Sequence, residues 1–344
     1  MKTDIAVEAD ELVKHFGPTV AVDGVSFAIP EGSVLSLLGP NGAGKTTTVR
    51  MLTTLSVPTS GTGRVAGHDI IAEPDAVRRN LGLTGQAATV DELLTGRENI
   101  RLIGRLYGIP RRRIAGLADE LLERFALEDA ADRIAKTYSG GMRRRLDLAV
   151  SLVASPPVLF LDEPTTGLDP RSRVELWEVL RDLVRGGTTL LLTTQYLEEA
   201  DTLADQIVVI DHGRVIAAGT PTTLKDEAGR ASVVITLTHG PDVERAADLV
   251  RRCTAEVHVE ASQRRIVAPA DGLADMTRIA ELLRHEAIEV DDLGLKRPSL
   301  DDVFLHLTGH RAEEDGTAGD DTGDSDGGDG RSESEASVRA EALR

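Results

Sequence analysis

This chain predicts an open, largely parallel α/β sheet followed by a smaller α+β domain, and three features of its order say so. Short apolar runs that read as strands alternate with helical patterns up to about residue 228, the order that builds a parallel sheet. Gly39-Pro40-Asn41-Gly42-Ala43-Gly44-Lys45-Thr46 fills the pattern G-x-x-x-x-G-K-[ST] between one such strand and a helix. Near Gly229 the pattern restarts as β-α-β-β-α-β, the order of a ferredoxin-like sandwich.

Each element has its own signal. Residues 20–29 alternate and read as a strand, with Pro30-Glu31-Gly32 as the turn. Residues 34–38 are a short buried strand running into the glycine-rich loop, and a helix is expected from Lys45 to about Leu55, stopped by Pro58. After a strand at 81–84, residues 91–136 turn helical, with Leu93, Ile100, Ile103, Leu106, Leu117, Leu121, Leu122 and Phe125 as the apolar set. A helix at 141–154 ends at Pro156-Pro157, and a strand at 158–161 follows. Residues 171–184 form an amphipathic helix with Val174, Trp177, Leu180, Leu183 and Val184 inward. Residues 188–193 are the next strand, and 206–210 with 214–218 form a hairpin around Asp211-His212-Gly213. In the second domain, strands at 233–237, 257–259, 265–268 and 288–293 enclose helices at 243–250 and 276–283, and a last helix spans 300–307. The expected division is therefore 1–228, with a helical subdomain at about 87–155, then 229–309, then a tail at 310–344. That tail is rich in Asp, Gly, Ser and Glu, has almost no apolar side chains to bury, and reads as disordered.

Composition narrows the function. The chain has 344 residues, 41% apolar and 28% charged, and a formal charge of −18. The tail holds eleven Asp and Glu against four Arg, yet the body is acidic too, which argues against nucleic acid as a partner. Cys253 is the single cysteine, so no intrachain disulfide can form. Residues 1–11 are acidic and lack the apolar stretch of a signal peptide. No apolar run approaches the roughly 18–20 residues that cross a bilayer, so membrane work would need another chain to do the crossing.

The chemistry concentrates at three places. In the loop from Gly39 to Thr46, continuing to Thr47, backbone N–H groups and the helix dipole cradle phosphates, Lys45 reaches them, and the Thr46 hydroxyl suits Mg²⁺. Asp162 ends an apolar strand, where a carboxylate needs a cation or donors, and Mg²⁺ is that reason. Glu163 follows at the edge of the sheet where ligands bind, placed to polarise an attacking water. Ser139-Gly140-Gly141-Met142 reads as a capped helix start open to a phosphate, over 90 residues from the chain's own phosphate loop. A nucleotide held by a second copy explains that separation most economically.

These residues resemble the ATP-binding-cassette (ABC) ATPases. Tyr138-Ser139-Gly140-Gly141-Met142 is similar to their signature, and Asp162-Glu-Pro-Thr-Thr-Gly-Leu-Asp169 to their Walker B strand and D-loop. Phe16 matches the aromatic that stacks on adenine, where tyrosine is commoner, and Gln86 matches the Q-loop glutamine that couples Mg²⁺ and the γ-phosphate to a membrane partner. The resemblance implies ATP and Mg²⁺ as ligands, with Thr46, Gln86 and Asp162 toward the metal and Glu163 and Gln195 toward hydrolysis. It implies two cassettes closing head-to-tail, with Ser139 and Gly141 facing the opposite subunit's ATP and Asp169 touching the partner. Two positions depart from the pattern: Met142 stands where glutamine is usual, and Gln195 where the switch histidine sits. Gln195 can still donate an N–H to a phosphate but cannot gain a proton near neutral pH.

The runs at 138–149 and 169–173, the Thr-Thr-Gln-Tyr-Leu context of Gln195, and Pro298-Ser-Leu-Asp-Asp-Val-Phe-Leu305 resemble the daunorubicin-resistance ATP-binding subfamily. That subfamily implies a separate ATPase chain at the cytoplasmic face of the membrane. It would pair with a separately encoded permease and drive export of drugs or other hydrophobic compounds, the permease contacting the block from Gln86 to Tyr107. Other cargoes (lipid, polysaccharide precursor, peptide, sodium) and a non-transport ABC ATPase are the alternatives. The single cassette and the lack of a heptad run oppose the second. The remaining features read plainly: Arg111-Arg112-Arg113 as a solvated helix start, Arg143 to Arg145 as the exposed side of the signature helix, and Cys253 as a small helix-face residue. The eight histidines have no metal-ligand spacing.

Overall fold

A mixed sheet with both faces covered lies at the centre of the protein, in a computed structural model that describes residues 4–85, 90–254 and 256–308. Its order is β10-β9-β3-β8-β7-β6. The strands are β3 (Val34–Leu38), β6 (Leu81–Thr84), β7 (Val158–Asp162), β8 (Thr189–Thr194), β9 (Gln206–Asp211) and β10 (Arg214–Gly219). All neighbours run parallel except β10, which returns antiparallel on β9. Burial on both faces explains the uninterrupted apolar runs. Val158 and Phe160 point into one core and Leu159 and Leu161 into the other, each fully buried large side chain contributing roughly 1.5–3 kcal/mol.

The first core is shared with an antiparallel sheet of order β2-β1-β4-β5, formed by β1 (Ile5–Phe16), β2 (Thr19–Pro30), β4 (Ser60–Val65) and β5 (His68–Asp69). Helix α1 (Lys45–Leu52) buries Val49, Met51 and Leu52 there, and α2 (Pro74–Arg79) adds Val77. The second core gathers α3 (Gly96–Leu106), α4 (Arg111–Arg124), α5 (Gly140–Ser151) and α6 (Pro170–Arg185) against the other face. Ile100, Leu121, Leu122 and Phe125 are buried in it as the spacing requires, but Leu93, Leu106 and Val174, expected inward, are exposed. Leu93 precedes the helix at Thr95, whose side chain caps α3 with Glu98 in a reciprocal capping box, so the helical period does not reach it.

Helix α7 (Leu197–Leu203) follows β8, and α8 (Pro221–Glu227) follows β10. The remaining elements are β11 (Ser232–Leu237), α9 (Val243–Val250), β12 (His258–Glu260), β13 (Arg265–Pro269), α10 (Leu273–His285) and β14 (Val290–Lys296). They form an antiparallel sheet of order β12-β13-β11-β14 with its own apolar core, which is ferredoxin-like connectivity. Helix α11 (Leu300–Thr308) then leaves that sheet and packs Leu300, Val303 and Phe304 against Leu197, Ala200 and Leu224 of α7 and α8. Gln86 and the tail at 310–344 lie outside the described residues. Among those described, no helix is long and apolar enough to cross a membrane.

Candidate functional site

The glycine-rich loop joins β3 to α1 at the C-terminal edge of the parallel sheet, where strand ends point their last residues at one another. Two of its glycines have positive φ, 84° at Gly42 and 106° at Gly44, and a Cβ on Gly44 would come within 2.5 Å of the Ala21 carbonyl oxygen. The loop, Thr47 and Ala21 surround a cavity of about 180 Å³ that Glu163 also lines. Lys45 is 3% exposed, and its Nζ donates to the carbonyls of Gly39 (2.6 Å) and Pro40 (3.1 Å). Burial pulls its ammonium pKa down, and the charges of Glu163 and Asp162 oppose that.

Strands β7 and β8 bring the acids to the same edge. Thr46 Oγ1 donates to Asp162 Oδ1 at 3.0 Å, and Thr193 Oγ1 donates to the same oxygen at 2.6 Å. Glu163 Oε1 lies 3.9 Å from Lys45 Nζ, and Oε2 accepts from Thr166 Oγ1 at 3.3 Å. The Glu163 backbone is left-handed, φ 50°, a conformation that costs a residue with a Cβ about 1 kcal/mol. Its N–H is held by the Thr193 carbonyl and hydroxyl, at 3.2 and 3.0 Å. Gln195 follows β8 directly. It lies beside the loop because Leu38 pairs with Thr194 and Gly39 N donates to the Thr194 carbonyl.

The Thr46 hydroxyl and the Asp162 carboxylate fit Mg²⁺, a hard cation that takes few protein oxygens and completes its shell with water and phosphate. Among the described residues no group of three His, Cys, Asp or Glu could hold a metal by itself, so phosphate oxygens would have to complete this one.

Ser139 caps α5, its Oγ accepting from Met142 N at 3.3 Å, and both Ser139 and Gly140 are exposed. Nothing lies within 4 Å of where a Cβ on Gly140 would sit, whereas one on Gly141 would meet Ser172 Oγ at 2.8 Å. Gly140 therefore leaves space in front of the helix, and Gly141 lets α6 approach. Met142 packs against the second core, an apolar contact that a glutamine would not make. Tyr138 is buried, its hydroxyl donating to the Ala130 carbonyl at 2.6 Å, and burial raises its pKa. Asp169 caps α6, accepting from Ser172 N and Oγ, and those hydrogen bonds lower its pKa. Phe16, at the β1–β2 turn, is 54% exposed with the Lys14 ammonium 5.1 Å from its ring centre.

The three arginines after Met142 do not form an exposed face. Arg143 pairs with Glu92 at 2.7 Å, and Arg145 reaches the Phe125 carbonyl and Glu175. Arg144 turns inward. Its Nε donates to the Pro164 carbonyl (2.8 Å), Nη1 to Gly85 (2.8 Å), and Nη2 to Asp162 and Glu163 (both 3.1 Å). The sequence holds half of this signal: Asp147 inside the apolar run Leu146–Val150 needs a cation one turn away, but Arg143 and Arg144 both stand at that spacing, and the structure gives the place to Arg144.

Comparison with known proteins gives one picture. The ABC transporter family profile matches residues 22–166. Daunorubicin resistance ATP-binding protein DrrA2 of Streptomyces coeruleorubidus is 53% identical over 310 residues, covering 90% of this chain and 96% of that protein. Nod factor export ATP-binding protein I of Rhizobium sp. (strain N33) is 38% identical over 313 residues, covering 90% and 99%. A solved dimeric ATP-binding cassette, in a post-hydrolysis state bound to ADP and Pi, superposes with a TM-score of 0.56 at 26% identity, covering 62% of this chain and 98% of that one.

Proposed function

Because this chain belongs to the ABC transporter family, as an ATP-binding subunit of the daunorubicin-resistance kind, we propose that it energises export of drugs or other hydrophobic compounds through a separate membrane subunit. That it is an ABC-type ATPase follows from the family. The observation that carries the further reading is the division of one nucleotide site into two halves on one chain. Lys45, Thr46, Asp162 and Glu163 meet at the sheet edge, while the Ser139-capped start of α5 is exposed with open space before Gly140. A second copy, head-to-tail, would supply the α5 start that each phosphate loop lacks.

In this reading the γ-phosphate takes Lys45 Nζ from the Gly39 and Pro40 carbonyls, an exchange favoured because a buried ammonium gains an anion. Phe16 offers an exposed ring for adenine, and Gln86 couples the phosphate end to the membrane partner. Mg²⁺, on Thr46, Gln86 and Asp162, would neutralise phosphate charge when bound. Glu163 polarises the attacking water, oriented by Thr166 and Lys45. Gln195 donates to the γ-phosphate as charge develops; losing such a donor outright costs about 10²–10³-fold, and a substituted one less. Leu93 before α3 and Leu106 and Tyr107 at its other end are exposed apolar side chains on the helical block, available to the permease. The ATPase would then sit at the cytoplasmic face of the membrane as a peripheral subunit.

The relative named for Nod factor export favours a second reading with the same energetics and another cargo. Purified complex with its permease should hydrolyse ATP, with Glu163→Gln reducing turnover at least ~10²-fold while nucleotide binding is retained. Undiminished turnover in that variant would remove Glu163 from the chemistry. Accumulation of daunorubicin, but not of a Nod factor, in inverted vesicles would separate the two cargoes.

A further inference from the structure

The strained Glu163 backbone is braced from the signature helix of its own chain, and the brace is Arg144. Four carbonyls from the ends of β6 and β7 and the turn that follows converge on one guanidinium: Gly85, Asp162, Glu163 and Pro164. The side chain is 13% exposed, with Asp147, 2% exposed, at 3.6 Å from Nη1. Only a planar fork of five N–H groups can serve carbonyls spread on several sides; an ammonium presents all its donors from a single atom. Burial lowers the arginine's pKa, and the charges of Asp147, Asp162, Glu199 and Glu163 oppose that without cancelling it.

The position of the Glu163 carboxylate depends on its backbone remaining left-handed. Its N–H is held by Thr193 on β8, and its carbonyl by Arg144 on α5 at 3.1 Å and, at the longer 3.4 Å, by the Thr166 N–H of the turn itself. Losing Arg144 leaves Thr193 and the long Thr166 hydrogen bond, so the chain still folds, but the peptide between Glu163 and Pro164 loses its tie to α5. We propose that Arg144, neutralised by Asp147, is a positioning residue for ATP hydrolysis: it fixes the Asp162–Glu163–Pro164 backbone and ties it to the helix whose start is offered to the second copy. The proposal rests on the reading of Glu163 as the water-polarising group.

The test compares Arg144→Lys, Arg144→Gln, Arg144→Ala and Glu163→Gln in the full complex with the permease, measuring kcat, KM for ATP and the thermal midpoint. Displacement of a catalytic group by about 1 Å costs up to ~10²-fold, so Arg144→Gln should lower kcat about ten- to a hundredfold with KM within about twofold. Arg144→Lys should recover only part of the loss. Arg144 lines a cavity of about 480 Å³ beside Glu163 and Asp147, so added guanidinium at millimolar concentration should raise turnover of Arg144→Ala and not of Glu163→Gln. Placing Arg144→Gln in the Glu163→Gln chain should bring no further loss. If Glu163→Gln is inactive while Arg144→Gln and Arg144→Ala turn over like wild type, the positioning role is overturned and the Glu163 assignment stands. If Glu163→Gln keeps full turnover, both fall. A loss in Arg144→Gln that appears as raised KM or a collapsed thermal midpoint, with no guanidinium response in Arg144→Ala, would mark Arg144 as structural only and overturn the proposal.

Discussion

Burial holds the Glu199 carboxyl above the ordinary glutamate range, against the pull of hydrogen bonds from Thr194, Thr165 and Trp177 and of the Arg173 charge. Its Oε1 accepts from Trp177 Nε1 at 3.3 Å, so the acid fastens α7 to α6 four residues beyond Gln195. Trp177 is thus a core residue with a satisfied N–H, not a ligand contact. The sign for stability follows from the raised value. Glu199 imposes no penalty below the unfolded pKa of 4.5, and stability is lost as the pH rises from there through the folded pKa. Glu199→Gln keeps the shape and removes the ionisation. Its thermal midpoint relative to wild type should therefore climb between pH 5 and pH 8. A difference that stays flat across that range would mean that the buried acid is no harder to ionise than in the unfolded chain.

Between the elements, the position of α5 is set less by its own length than by Tyr138, one residue before the Ser139 cap. The Tyr138 hydroxyl donates to the Ala130 carbonyl and fills the space that Gly96, at the start of α3, leaves open. Tyr138→Phe keeps the ring and leaves the Ala130 carbonyl only the Arg133 N–H, at 2.9 Å, a loss of one hydrogen bond that costs about 0.5–1.5 kcal/mol. Urea unfolding should show that loss as a lower midpoint at unchanged m-value, and an unchanged midpoint would show that the Arg133 N–H alone satisfies Ala130. The elements were unequally legible in the sequence, for physical reasons. The runs of β3 and β7 and the phosphate loop between β3 and α1 are locally determined, and the structure repeats them almost residue for residue. Strand β1, twelve residues long, gives no clean alternation because its pairing with β2 shifts register near Glu11, which has φ 49°. Strand β4, Ser-Gly-Thr-Gly-Arg-Val, has too little side chain to announce itself. At the site, Lys45, Thr46, Asp162 and Glu163 were visible as residue types at fixed places along the chain. Arg144 was not, because three successive arginines on a helix look the same whether they face solvent or a ring of carbonyls. Only the burial of Asp147 tells the middle one apart.

At the scale of the whole molecule, the separation of the α5 start from the residues around Lys45 makes a prediction about two copies that no single copy can satisfy. Gly140→Asp has room for its side chain, and an acid in the first turn of a helix is favourable, so the fold should tolerate it. The same carboxylate would repel a phosphate approaching the helix start. Lys45→Ala removes the buried ammonium from the other half of the site. Each variant by itself should have little ATPase activity. Mixed in equal amounts within the transporter, half of the dimers contain one copy of each. Such a dimer pairs the intact phosphate loop of the Gly140→Asp chain with the intact α5 start of the Lys45→Ala chain, leaving one good site and one doubly damaged. With independent sites, turnover should recover to about a quarter of wild type under random pairing. If each chain completed its own site, the mixture would stay as inactive as its components, and the head-to-tail reading would be wrong. Recovery well below a quarter, with the Lys45→Ala chain still binding the permease, would instead show that the two sites must fire together.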